Sequence, residues 1–137
     1  MEDFKSLFVS YMKENMVEYS EYDEYTFVVT PSASNVPGGV QVLVVFDETE
    51  SDIVHFVISN VATFTDEKRA AGMALCNRLN AGYRWVKFYL NDHGEMTVVD
   101  DAIIESRTVG SECIEVVRRL ASIVDVIYPE VQKAVRE

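Results

Sequence analysis

Three β-branched runs follow one another with no helical pattern between them: YTFVVT at 25–30, VQVLVVFD at 40–47 and IVHFVISN at 53–60. PSASNVPGG (31–39) and ETESD (48–52) join them, and both read as turns or loops from their Pro, Gly, Ser and Asp content. Strands joined by short connections pair antiparallel, because a parallel pair needs a long crossover. Side chains alternate across a strand. Val42, Val44 and Phe46 therefore share one face of the second run, and Leu43 and Val45 share the other. The first run behaves alike, with Phe27 and Val29 opposed to Val28. A sheet with one wet face would read apolar–polar throughout. This one wants cover on much of both faces.

Helical spacing supplies part of that cover. Phe4, Leu7, Phe8, Tyr11 and Met12 recur at helical intervals within a segment from Glu2 to about Val17, with Asp3 in its first turn. EYSEYDEY (18–25) then reads as a linker running into the first strand. Residues 65–82 read as a second helix, with Thr65 as N-cap and Gly82 as the left-handed residue that ends it. YRWVKFYL (83–90) and EMTVVDDAIIE (95–105) read as a strand pair turning at NDHG, where Gly94 suits a positive φ. A last helix begins near Ser111 and carries Ile114, Val117, Leu120, Ala121, Val124 and Tyr128 as a stripe. Pro129 kinks or breaks it. The order α-β-β-β-α-β-β-α predicts an α+β fold, a twisted antiparallel sheet with helices packed on it, in one domain over 1–137.

The chain holds 12 Lys and Arg against 23 Asp and Glu, a formal net charge of −11. Nucleic-acid binding draws its affinity from cations that neutralise phosphates, so this balance argues against nucleic acid and against anionic membranes as partners. No apolar stretch reaches the length of a membrane helix. MEDFKSLF lacks the cationic start of a secretory leader, and Cys76 and Cys113 sit among apolar residues as buried thiols. A cytoplasmic protein is expected.

Catalytic patterns are missing. There is no G-x-S-x-G, and Gly38-Gly39 precede a strand rather than a helix, so no phosphate cradle forms there. Asp100 and Asp101 are adjacent on a strand and face opposite ways, which reads as a solvated strand end, with one inward carboxylate near that end as the alternative. His55 and His93 are far apart and the cysteines lack C-x-x-C spacing, so neither metal nor any other cofactor is expected. We expect no enzyme.

The binding candidates lie in NRLNAGYRWVKFYL. Trp85, Lys87 and Tyr89 alternate with Val86, Phe88 and Leu90, which places two large aromatics on the face away from the apolar one. Rigid aromatics with a polar tip suit an interface. Either a helix of the same chain covers them or a partner does. Arg78, at the polar end of the second helix, joins Trp85, Lys87 and Tyr89 as a candidate partner contact.

The stretch LCNRLNAGYRWVKFYLNDHGE, with Asn77 and Asn80 around Arg78-Leu79, a Trp85-containing strand with Phe88 and Leu90, and a turn at Asp92 to Gly94, resembles the YbjN-like family. IVDVIYPEV, with Tyr128-Pro129, is similar too. The likeness runs over roughly residues 66–135. It implies a bacterial sensory transduction regulator with a fold similar to type III secretion chaperones. That implies a non-enzymatic protein-binding module, chaperone-like or regulatory, pairing with itself as a homodimer and with an unidentified protein. The alternative is a small-molecule-sensing domain with a pocket between sheet and helices.

Overall fold

The computed structural model describes residues 3–137. Helix α1 (Phe4–Glu14) is followed by strands β1 (Ser20–Glu21), β2 (Thr26–Val29), β3 (Val42–Phe46) and β4 (Ile53–Ile58). A single 3₁₀ turn at Asp66–Lys68 leads into α2 (Arg69–Gly82), and β5 (Lys87–Leu90), β6 (Met96–Ile103) and α3 (Val109–Arg136) complete the chain. The six strands form one sheet, all antiparallel, in the order β1-β2-β3-β4-β6-β5. The expected α+β class stands, with β1 as an added edge strand that the acidic linker concealed.

Alternation places the core on one face. Phe27, Val29, Val42, Val44, Phe46, Val54, Phe56, Ile58, Met96, Val98 and Phe88 are buried on that side, together with the inward stripes of the helices. From α1 come Phe8 and Met12, and the Phe8 ring lies 5.0 Å from Phe27 and 5.6 Å from Phe46. From α3 come Val109, Cys113, Ile114, Val117, Leu120, Ala121, Val124, Ile127 and Val131. At Gly110 a side chain would overlap the Tyr11 ring, so the glycine sets how closely α1 approaches α3.

Several boundaries differ from the sequence reading. Asp3 is the N-cap of α1 and accepts a hydrogen bond from the Lys5 amide at 3.1 Å; Glu2, expected inside the helix, lies outside the described residues. Thr65 makes no side-chain cap bond, because the 3₁₀ turn intervenes. Gly82 is not left-handed; Tyr83 ends the helix in extended conformation. Gly94 does take a positive φ, +77°. Helix α3 starts at Val109, ahead of Ser111.

Pro129 lies inside α3 and does not end it. Proline lacks an amide donor, so the carbonyl four residues back, that of Asp125, loses its helical partner. Asn35, in the β2–β3 loop, replaces it. Its side-chain amide donates to the Asp125 carbonyl at 2.8 Å, and its backbone amide donates to the Asp125 carboxylate at 2.6 Å. The loop is thereby fastened to the helix at the point where the helix is short of a donor. Replacing Asn35 with Ala is expected to lower stability by about 1 kcal/mol. In a Pro129→Ala background the restored amide at position 129 supplies the missing donor, and the same replacement should cost less. Urea unfolding of the four chains in a double-mutant cycle measures that coupling.

Candidate interaction surface

The other face of the sheet carries no helix. Strand register aligns Ser20, Val28, Leu43, Val57, Val99 and Lys87 in one row across all six strands. Four apolar side chains thus lie side by side, all half-buried by their neighbours in the sheet. The next row on this face is Thr26, Val45, His55 and Asp101. Ile53 and Ile103 form a further pair, with Ile103 75 % exposed. Hydrophobic residues on the second face were expected to need cover, and the helices do not provide it.

His55 stands at the middle of this face. Its Nδ1 is 2.7 Å from an Asp101 carboxylate oxygen and its Nε2 is 2.8 Å from Asp47. A neutral imidazole has only one N–H, so two carboxylate contacts favour the doubly protonated ring. Hydrogen bonds to Asp47 and then Asp101 accordingly raise the His55 pKa above its usual value. Asp47 is held well below the ordinary carboxylate range, first by His55 and then by the amides of Glu50 and Thr49 and the Thr49 hydroxyl. The solvated strand end expected of Asp100 and Asp101 holds for Asp101, which stays exposed, and is corrected for Asp100. Asp101 holds His55. Asp100 faces the core at 9 % exposure, where burial raises its pKa and Arg119 partly offsets that rise.

Trp85, Lys87 and Tyr89, expected on one strand face, do not all share it. Lys87 and Tyr89 lie on the open face, Tyr89 at 43 % exposure. Trp85 precedes the strand, with φ +72° and 76 % exposure. The Val86 amide donates to the Arg84 carbonyl at 2.8 Å, which closes a tight γ-turn centred on Trp85. Among the described residues no helix lies over either aromatic. Arg78, still largely exposed on α2, pairs with Glu130 on α3. Asn80, in the last turn of α2, reaches the neighbouring strand. It accepts from the Phe88 amide at 2.7 Å and donates to the Phe88 carbonyl at 2.9 Å, closing the free edge of β5. Sequence reading missed Asp47 and Asp101 as partners of His55, because only the sheet register brings them together.

Among the described residues no cluster of three His, Cys, Asp or Glu is placed to hold a metal. Burial pushes the Cys113 thiol up to about 12 and raises that of Cys76, so neither is a ready nucleophile. No helix among the described residues is long and apolar enough to cross a membrane.

The profile of the YbjN family, described as "Putative bacterial sensory transduction regulator", matches residues 14–133. The chain belongs to the YbjN family. No curated protein matches it. Among solved structures it is similar to the crystal structure of YbjN from E. coli, titled a "putative transcription regulator", with a TM-score of 0.65 at 10 % identity over 92 % of both chains. At that identity the likeness is one of fold. The fold now shown for this YbjN member is a helix-covered sheet with one face open.

The raised His55 pKa predicts a pH dependence of stability. A group whose pKa rises on folding contributes its full stabilisation below its unfolded value, about 6.5, and loses it as pH passes through the higher folded value. Wild type should therefore lose stability relative to His55→Gln as pH is raised from about 6.5 into the alkaline range. Urea midpoints of both chains across that range test it, and parallel curves would contradict the clamp.

Proposed function

We propose that this YbjN-family protein is a non-enzymatic, regulatory protein-binding module that acts as a homodimer, with a second copy seated on the open sheet face. The observation that carries this reading is the row Val28–Leu43–Val57–Val99, apolar across four adjacent strands and uncovered by the chain itself. The row is also self-complementary. A two-fold axis parallel to the strands, between β3 and β4, sets Val28 over the partner's Val99 and Leu43 over the partner's Val57. Both sheet edges offer less. β1 is two residues long in an acidic segment, and the Phe88 backbone on β5 is already bonded by Asn80. Lys87 and Tyr89 flank the row and Trp85 projects beside it. Arg78, held by Glu130, contributes by fixing α2 on α3.

Regulation in this reading runs through protein contact. The excess of acidic residues opposes direct DNA binding, whatever the E. coli relative's title suggests for that protein. A chaperone-like role would use the same face for an extended client. The sensing alternative draws less support, since the clefts between sheet and helices, such as the one of about 520 Å³ beside Phe4, Tyr25 and Phe46, lie open at the rim of the core.

Light scattering over a wide concentration range should give twice the 15.5 kDa chain mass. The double substitution Leu43→Glu with Val57→Glu should give a folded monomer, because two buried unpaired carboxylates per copy oppose association. A wild-type monomer at every concentration overturns the homodimer, and a dimer that survives both substitutions moves it off this face.

A further inference from the structure

Residues 68–87 hold Lys68, Arg69, Arg78, Arg84 and Lys87 and not one Asp or Glu. Five of the chain's 12 cations are thus gathered in one segment, leaving seven to face all 23 acidic residues. Some of the five are engaged. Arg78 pairs with Glu130 and Arg69 donates to the Asn91 carbonyl. Arg84 and Lys87 make no ion pair within 4 Å among the described residues, in a chain with an abundance of carboxylates. Between them stands Trp85, exposed and held in a γ-turn that a non-glycine residue enters at a cost. Strain of this kind persists where the surrounding structure imposes it, and α2 and β5 flank this turn closely, with Asn80 tying one to the other.

We propose that the Arg84–Trp85–Lys87 corner is a docking site for an acidic peptide segment of another protein, with an apolar side chain against the Trp85 ring and carboxylates on Arg84 and Lys87. The proposal rests on the protein-binding reading but not on the homodimer. Charge complementarity selects the occupant: two unpaired cations and an aromatic suit a short acidic stretch. A nucleic acid would need many more phosphate contacts and would run on from this corner over acidic surface. The net negative charge of the chain does not forbid an acidic partner, because at physiological ionic strength charges beyond about 8 Å are largely screened.

Trp85 is the only tryptophan in the chain, so its emission reports on this corner alone. The probe is a fluorescein-labelled 12-residue peptide of Glu and Asp interspersed with Leu and Phe, followed by anisotropy; its unlabelled form is followed by Trp85 emission. A blue shift on binding, an affinity that falls with added salt, and at least a tenfold loss in Arg84→Glu/Lys87→Glu support the site. Trp85→Gly should lose binding while raising the urea midpoint, since glycine enters the γ-turn freely. Val57→Glu, on the open face, should bind the peptide like wild type even where it alters the dimer. No emission change up to millimolar peptide overturns the proposal. So does unchanged affinity in the charge-reversed chain, or tighter binding of a single-stranded oligonucleotide than of the peptide. A monomeric wild type that still binds the peptide overturns the homodimer only.

Discussion

Everything in this structure is arranged around α3 lying along one face of the sheet. Its stripe from Val109 to Val131 covers the inward residues of the central strands, and α1 and α2 take places beside it. A helix of 28 residues is about 42 Å long, more than the width of a six-stranded sheet, about 24 Å. Its continuity is therefore what keeps the core in one piece. That continuity runs through Pro129, and it holds because Asn35 gives the Asp125 carbonyl the donor that proline cannot. A loop residue far away in sequence completes the helix on which the core depends.

With all three helices on one side, the opposite face and the two edges decide how the molecule meets others. The edges are closed by different means: β1 by its brevity and its acidic surroundings, β5 by the two hydrogen bonds from Asn80 to Phe88. Edge closure is a common defence against unwanted strand pairing. What stays open is a face with an apolar row and, at the corner of β5, an exposed tryptophan next in sequence to two cations without an ion pair among the described residues. The two surfaces are different in kind. The row offers area and shape; the corner offers charge and one anchor.

Much of this was legible in the sequence and the remainder was hidden for definite reasons. The antiparallel runs, the helical stripes and the positive φ at Gly94 follow from local pattern. So does the apolar second face, since Leu43, Val45 and Val28 cannot point inward when their neighbours do. The place of Trp85 was misread because YRWVKFYL alternates through it without a break. Only four residues join α2 to β5, and the reversal of direction falls at residues 84–86, which forces the turn where the pattern shows a strand. The clamp on His55 was invisible because β6 inserts between β4 and β5, so that His55 meets Asp101 across a pairing that chain order does not suggest. That one of the two adjacent strand carboxylates faces inward follows from alternation; its partial balance by the Asp101 amide and then by Arg119, 19 residues on, does not. Pro129 alone announced a break, and nothing near it names Asn35.

The distribution of charge sets the character of the open face. A chain with 23 acidic residues and an open sheet face had ample opportunity to place carboxylates on that face, and across the outward positions of the six strands it places only Asp101. That carboxylate is bonded to His55, whose other nitrogen is bonded to Asp47 at the strand end. The ring thus sits between two acids and offsets part of their charge where a partner would otherwise have to remove bare carboxylates from water. Desolvating an unpaired carboxylate is costly, whereas a hydrogen-bonded pair is far less so. In the proposed dimer this pairing would spare a partner packed on Val45, Val57 and Val99 from burying two bare carboxylates.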